Sequence, residues 1–247
     1  MTSTELSREF DLLFNNSVGI SAPEIKGYEK SLYFTEAQEI IVKGLYEDLR
    51  KGTSVEANER IRRRLQPLTI YKAIAYNAAM NTLLTALKIS DNSKLFQIED
   101  DVWYIIGEEL YVGSTTLTVK PINMDEYSVQ KNNPFKKPNS RKAWRRDVGN
   151  NTTYSTFRVV DIITTTTPTK YTYTYIIKPS PIIVEDLAAG EYTGLGLTID
   201  GISDITECVL DSEVQRDILV KAVELATLSY KENTLANNVQ LNQNNNF

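Results

Sequence analysis

The sequence contains no histidine and only one cysteine, and both absences narrow the chemistry open to the protein. Histidine is the usual general base, the commonest metal ligand and the side chain that titrates near neutral pH. Cys208 cannot form a disulfide within one chain, and without histidine it completes no ordinary zinc site. We therefore expect no metal and no other cofactor, and we interpret Cys208 as a structural residue at the end of a strand or loop.

The chain also lacks long apolar runs and a surplus of positive charge. Residues 1–14 have neither the basic start nor the apolar centre of a secretory signal, and no run approaches the roughly 20 apolar residues of a membrane span. The net charge of −5 argues mildly against a nucleic-acid-binding protein, although a local basic patch is still compatible with it. We expect a globular protein of a reducing, cytosol-like setting, with no membrane partner.

Clusters of adjacent acids are the only candidates for catalysis. Glu99, Asp100 and Asp101 form one cluster, and Glu108 with Glu109 forms another. A hydrolase can use paired carboxylates as acid and base. Adjacent acids are also common in loops and turns, and these have no metal-ligand spacing and no histidine beside them. We therefore predict that the protein is not an enzyme.

The first part of the chain predicts an arm followed by helices. Residues 1–34 are expected to be an extended arm, because asparagine, glycine and proline interrupt the stretch from residue 15 onward. Thr35 and Gln38 match a capping box, and the apolar spacing that follows predicts a helix over residues 35–51. A second helix is predicted over residues 55–65, where a proline soon stops it.

The second helix carries four arginines that permit two interpretations. They could bind phosphate, or they could form a solvated face paired with Glu56 and Glu59 one turn away, and we favour the second interpretation. Residues 71–88 fit either a helix or a strand. The helical part of the body is accordingly placed at residues 35–93.

Residues 94–205 are predicted to be a β-rich insertion. Short β-rich runs are punctuated by Gly107 and Gly113, and the turn at residues 166–169 indicates a hairpin. One strand places three tyrosines on a single face, where they could stack nucleic-acid bases or form a half-buried side of the sheet. We favour the sheet. The three are Tyr171, Tyr173 and Tyr175.

Between the β-rich runs lies a basic segment, residues 131–146, with seven cations and no acid. Basic residues interleaved with aromatic ones can follow a phosphate backbone. Prolines, asparagines and serine place the segment on a long loop. We favour a loop that docks on an acidic protein neighbour. Its candidate contact residues are Phe135, Lys136, Lys137, Arg141, Trp144, Arg145 and Arg146.

The end of the chain predicts one long helix and a tail. A helix over residues 211–231, within a segment 206–232, is expected to return to the body and pack on the early helix at 35–51. Residues 233–247 contain seven asparagines and are predicted to form an extended tail that is disordered alone.

Several blocks in order resemble virion structural proteins of crAss-like phages that infect Bacteroides. These blocks are EFDLLFNN…SAPEIKGYEKSLYFTEAQEIIV, DDVWYIIGEELYV, VKPINMDEYSVQKNNPFKKP…KAWRR and YIIKPSPIIV. The closing block ECVLDSEVQRDILVKAVELATLSYK is similar to the late helix of phage head-to-tail adaptor proteins. The resemblance covers most of the chain and includes no catalytic motif.

The resemblance implies an α+β protein with a helical body, made of early helices and a long late helix, and a β-rich insertion. It implies a structural virion protein of the phage neck, in a ring, usually a dodecamer, that connects the portal to the tail and continues the DNA channel. The implied partners are copies of itself, the portal protein, further neck or tail rings, and DNA that passes without sequence-specific binding. Such proteins assemble in the host cytoplasm.

A ring closes only if each subunit carries two different complementary patches. We expect the aromatic lead-in and the tail to supply such patches on an adjacent subunit or ring, alongside the basic segment. The alternative is a nucleic-acid-binding protein that uses residues 131–146. The candidate contact residues of the two ends are Tyr28, Tyr33 and Phe34, and Leu235, Val239, Leu241 and Phe247.

Overall fold

The computed structural model describes residues 1–19, 24–52, 55–149 and 158–244, with the side chains of all of these except 55–57, 149 and 232–244. The chain divides into two compact units, one formed by Met1–Leu68 and Pro179–Phe247 and the other by Thr69–Lys178. The helices are α1 (Ser3–Val18), α2 (Gly27–Lys51), α3 (Val55–Leu65), α4 (Ala78–Leu83), α5 (Met124–Gln130) and α6 (Ser212–Asn244). The strands are β1 (Thr69–Ala75), β2 (Ser93–Ile98), β3 (Val102–Val112), β4 (Thr115–Pro121), β5 (Lys142–Gly149), β6 (Arg158–Ile163) and β7 (Lys170–Ile177).

The α+β class with a long late helix is confirmed, but the N-terminal arm is not extended. The helix α1 begins after Thr2, whose hydroxyl accepts a hydrogen bond from the Glu5 amide while the Glu5 carboxylate accepts one from the Thr2 amide. This reciprocal capping satisfies amides that a helix start leaves free. Leu6, Phe10 and Phe14 lie on one face of α1 and are buried. The helical spacing of these apolar residues outweighs the asparagines that suggested an arm.

The second helix begins at Gly27 and not at Thr35. Thr35 is therefore an interior residue, and its hydroxyl donates to the Ser31 carbonyl at 2.8 Å and accepts from the Ile182 amide at 3.2 Å. Gln38 donates to the Ser180 carbonyl. Gly27 lies so close to Glu185 that a Cβ atom there would be 2.1 Å from the Glu185 carboxylate. The supposed capping box is thus a pair of side chains that fix the segment after residue 179 onto α2.

Helices α1, α2 and α6 form the core of the first unit. The expected packing of the late helix on the early helix is confirmed, because α2 and α6 are in extensive contact. Ile218 of α6 is fully buried. Phe34 of α2 and Phe10 of α1 meet edge to face with ring centroids 5.4 Å apart. This helical unit therefore includes α1, which lies within the predicted arm 1–34.

The second unit is a curled seven-stranded sheet in the order β1-β7-β3-β4-β5-β6-β2. Neighbouring strands are antiparallel except β4 and β5, which are parallel. Parallel neighbours need a crossover connection, and here α5 and the loop after it provide one. The β region thus spans 69–178 and not 94–205. The stretch 71–88 that fitted either structure contains most of β1 and then α4.

The three tyrosines of β7 lie in the core of this sheet. Tyr171, Tyr173 and Tyr175 are each at most 2% exposed and stack along the strand with centroids 5.2–5.4 Å apart. They pack with Phe96 and other apolar residues in one cluster. The sheet interpretation therefore stands, and these buried rings cannot stack on bases.

The predicted hairpin at residues 166–169 is wrong. Strands β6 and β7 flank that turn in sequence but are not neighbours in the sheet. The turn instead bonds elsewhere: the Thr164 amide donates to the Asn92 carbonyl and the Thr169 amide to the Tyr111 carbonyl. A turn signal fixes a change of direction, and strand pairing is decided by the whole sheet.

The last strand of the sheet, β2, has an edge occupied by a side chain. The Asn81 amide group donates to the Leu95 carbonyl at 2.8 Å, and its oxygen accepts from the Leu95 amide at 2.7 Å. The Ser93 amide donates to the Ser90 carbonyl. Asn81 is itself only 2% exposed. Two edge positions of β2 are thereby satisfied from within the chain.

The late helix runs to Asn244, so the tail predicted to be extended from residue 233 is helical up to that point. Each residue added to an existing helix gains one backbone hydrogen bond, whereas asparagine costs only a fraction of a kcal/mol relative to alanine.

Within the part of the chain that the structure describes, no helix has the length and apolar character needed to cross a bilayer.

Candidate assembly interface

The basic segment 131–146 is divided between a loop and a strand. Residues 131–141 form turns that follow α5, and β5 begins at Lys142. The prediction of a long loop is therefore correct for the first part and wrong for the second. We call residues 129–141, which are the last two residues of α5 and the turns after it, the cationic loop.

Two asparagines organise the cationic loop. Asn133 accepts from the Phe135 amide with its side chain and from the Lys136 and Lys137 amides with its carbonyl, at 3.0–3.2 Å. Asn139 accepts from the Arg141 amide at 2.9 Å. Asparagine side chains commonly fix turns in this way. The loop therefore holds its side chains on a backbone that its own hydrogen bonds define.

The cationic loop exposes apolar as well as charged groups. Phe135 is 92% exposed and Val129 is 81% exposed. The cations around them are exposed too, and the loop contains no acid. They are Lys131, Lys136, Lys137 and Arg141. An exposed aromatic residue in a segment whose charges are all positive makes this loop a candidate contact surface for an acidic partner.

Trp144 anchors the loop instead of lying on it. Its side chain is 1% exposed and packs with Ile122 and Ile163. Tyr127 of α5 meets the Trp144 ring edge to face at 6.1 Å. The crossover is thus fixed at its base by an aromatic contact, and Trp144 leaves the set of surface candidates.

Arg145 is buried in an ion-pair network of its own chain. Its Nε lies 3.1 Å from the Glu108 carboxylate, without the alignment of a hydrogen bond, and its Nη1 donates to Asp147 at 3.1 Å. The Tyr171 hydroxyl donates to Glu108 at 3.0 Å. Burial raises the pKa of Glu108, and the Arg145 charge and the Tyr171 hydrogen bond oppose that shift. Burial also raises the pKa of Tyr171, and it raises that of Tyr173 to about 12.

Arg146 lies on the opposite face of β5 and is paired as well. Its Nη2 donates to Asp161 at 3.1 Å and to the Leu87 carbonyl at 2.9 Å. Asp161 is fully buried, is the cross-strand neighbour of Arg146, and also accepts from the Ser93 hydroxyl. Burial raises the pKa of Asp161 against these stabilising contacts. Arg145 and Arg146 are thus structural residues and not surface candidates.

The aromatic candidates of the N-terminal part are mostly occupied by their own chain. Phe34 is fully buried against Phe10. Tyr28 is half-buried beside Tyr192, whose hydroxyl accepts from the Tyr28 amide at 3.2 Å. Tyr33 is half-buried on α2. The expectation that this stretch docks on a neighbour is therefore wrong for Phe34, and the surface for Phe34 is its own α1.

The C-terminal candidates cannot be compared in this way. Leu235, Val239 and Leu241 belong to the part of α6 of which only the backbone is described, and Phe247 lies outside the described residues. Their role in contacts stays a prediction.

Several of the other charged candidates have structural partners. Arg60 and Arg64 of α3 pair with Glu213, and Arg64 also with Asp217, so the salt-bridged face is formed with α6 and not within α3 alone. Among the suggested catalytic acids, Glu99 pairs with Lys72, and Asp100 accepts from the Arg158 amide. No group of three or more potential metal ligands occurs among the residues described.

An acidic segment that the sequence analysis did not single out lies before α6. We call residues 204–211 the acidic strap. Thr206 fixes it through a β-bridge with Ile183, and Gln215 donates to the carbonyls of Cys208 and Leu210. Burial raises the pKa of the Cys208 thiol. The sequence alone indicates an acidic segment here, since residues 179–215 contain eight acids and no cation.

The strap presents apolar and acidic side chains together. Ile205 is 56% and Val209 is 62% exposed, and the acids beside them are exposed as well. Those acids are Asp204, Glu207 and Asp211. The structure thus describes two exposed segments, one cationic and one acidic, each with exposed apolar side chains.

Comparison with known proteins identifies the family of the chain. A family model described as phage tail ring protein 3/4 matches residues 1–238. The chain belongs to this phage tail ring protein family. It is 30% identical to "Ring protein 4/5" of Bacteroides phage crAss001 over 243 residues, which are 98% of this chain and 99% of that protein. It is 32% identical to "Ring protein 3" of the same phage over 241 residues, 93% of this chain and 96% of that protein.

Proposed function

We propose that this protein is a structural subunit of a ring in the phage neck, which connects the portal to the tail and continues the DNA channel. The observation that carries the proposal is the match of nearly the whole chain to tail ring proteins. The ring consists of identical subunits, twelve in a dodecamer. It assembles in the host cytoplasm and stays in the virion. It performs no catalysis, and DNA passes through it without sequence-specific binding.

The cationic loop supplies one contact surface of this ring. Closed rings of identical subunits use heterologous contacts, in which two different patches meet at every junction. Phe135 is an unusually exposed aromatic side chain, and burying it would remove a large apolar area from water. Lys136, Lys137 and Arg141 would fix its orientation on an acidic partner.

The test is assembly with the neighbouring virion proteins. The full chain, expressed with the phage portal protein and the other neck proteins, should form a ring visible by electron microscopy and coaxial with the portal. Symmetry analysis of that ring gives the copy number. A chain that stays monomeric in the presence of all these proteins, or a virion whose neck lacks it, would contradict the proposal.

The C-terminal segment provides a second assay. We propose that residues 233–247 reach the portal or an adjacent ring, and their removal should weaken binding to the portal assembly. A shortened chain that binds the portal with unchanged affinity would remove this segment from the interface, without affecting the ring itself.

A further inference from the structure

The strongest unassigned feature of the molecule is the match between its two fixed, exposed segments. The cationic loop carries four cations and no acid, and the acidic strap carries three acids and no cation. Each segment also exposes two large apolar side chains: Phe135 and Val129 on the loop, and Ile205 and Val209 on the strap. The two segments share no residue, and a heterologous contact requires two such different patches.

We propose that the cationic loop of one copy binds the acidic strap of the next copy. This proposal rests on the proposed ring and names the two surfaces that meet at each junction. The occupant of the strap is thus a second copy of this chain, because the chain itself carries a segment of opposite charge with a matching apolar centre.

Both segments are ordered before they meet, which favours association. Asn133 and Asn139 fix the loop, while Thr206 and Gln215 fix the strap. Ordering a flexible segment upon binding costs free energy, and a segment already held by internal hydrogen bonds avoids much of that cost. The buried anchor Trp144 serves the same purpose at the base of the loop.

The apolar residues would form the centre of the contact and the charges its rim. Phe135 packs against Ile205 and Val209 in this arrangement, and water is excluded from its ring. Lys136, Lys137 and Arg141 face Asp204, Glu207 and Asp211. Charges at a rim select the partner and its orientation, and their attraction weakens as salt screens it.

A pair of charge-reversed chains tests this contact. The loop variant carries K136E, K137E and R141E, so both of its surfaces are acidic. The strap variant carries D204K and E207K, so both of its surfaces are basic; Asp211 is left intact because it bonds to the start of α6. Each variant alone should associate at least about tenfold more weakly than the parent, since like charges then face each other.

An equimolar mixture of the two variants should recover assembly, because every junction again joins opposite charges. Sedimentation velocity and native mass spectrometry at low and high salt measure the oligomers. Control variants reverse two exposed charges each on α2, with R50E and K51E in one chain and E36K and E47K in another. These controls should assemble like the parent. Circular dichroism checks that every variant is folded.

Four results would overturn the contact. The variants could assemble alone like the parent, or the mixture could stay dissociated although both variants are folded. A third result is that the reversals lower the stability of the monomer and leave assembly unchanged, which would place the two surfaces together within one chain. A parent that is monomeric alone also overturns it, while a ring formed with the portal would still support the proposed function.

Discussion

Residues 131–141 and 142–146 belong to one uninterrupted basic stretch, yet the first part lies in solvent and the second lies within a sheet. In the second part, side chains alternate between the two faces of β5, and each arginine meets a carboxylate from another strand. In the first part, asparagine side chains hold the turns, and the cations are exposed and form no ion pair with the residues that the structure describes. Position in the sheet, and not composition, separates structural cations from those available to a partner.

The largest difference between the two parts should appear when one cation of each is removed. Arg146→Met leaves the Asp161 carboxylate buried without its cation, which should lower the free energy of unfolding by about 3–5 kcal/mol. Arg141→Met should change it by no more than about 0.5 kcal/mol. Urea denaturation measures both. The double variant with Asp161→Asn should recover part of the loss, and equal effects of the two single changes would contradict the distinction.

The aromatic residues sharpen the same contrast. Phe34→Ala removes a fully buried ring and should cost about 3–5 kcal/mol of stability. Phe135→Ala removes a ring that is 92% exposed and should cost no more than about 0.5 kcal/mol. Thermal and urea unfolding of the monomer give both values. A large loss for Phe135 would mean that this ring is buried within its own chain.

A smaller effect on stability should come from a change of pH that protonates Asp161. Burial raises the pKa of Asp161 in the folded chain, so its protonated form favours folding. That contribution is fully present below the unfolded pKa and is lost as the pH rises through the folded pKa. The stability of the parent relative to Asp161→Asn should therefore increase as the pH falls from 7 toward about 4. Denaturation at several pH values tests this, and a relative stability that decreases on acidification would have the wrong sign.

The smallest effect is expected for the loop reversal K136E, K137E and R141E. Three reversed charges on the exposed loop should change the free energy of unfolding of the monomer by no more than about 0.5 kcal/mol. The single change at Arg146 would thus exceed the triple change several-fold. Urea denaturation at low protein concentration measures both variants. A triple change that destabilises the monomer as much as the Arg146 variant would contradict the distinction between the two parts.

The sequence was most informative where apolar periodicity is long. The late helix and its packing on the early helix follow from helical spacing, and the tyrosine face follows from strand alternation. The end of α3 follows from the proline after it. The first helix was missed because asparagines near Val18 were weighed above the spacing of Leu6, Phe10 and Phe14. Local propensities are small compared with the free energy gained by burying such a face.

The partners of charged residues could not be predicted, because they come from distant parts of the chain. Arg146 meets Asp161 and Arg64 meets Glu213 only after the sheet and the helices have formed. The hairpin prediction failed for the same reason: a turn at residues 166–169 says nothing of which strands lie on either side. The acidic strap, in contrast, lies in a stretch that has acids and no cations. The net charge of the whole chain does not reveal this stretch.

Asn81 limits unwanted strand pairing between chains when many copies are close together. Many identical chains gather at one place when a ring forms, and an open strand edge in each would template addition of strands from its neighbours without limit. By bonding both backbone groups of Leu95, the amide of Asn81 acts as a one-residue substitute for the missing strand. Polymerisation through this edge of β2 is thereby discouraged at Leu95, and chains that accumulate before assembly are kept available for contacts that close.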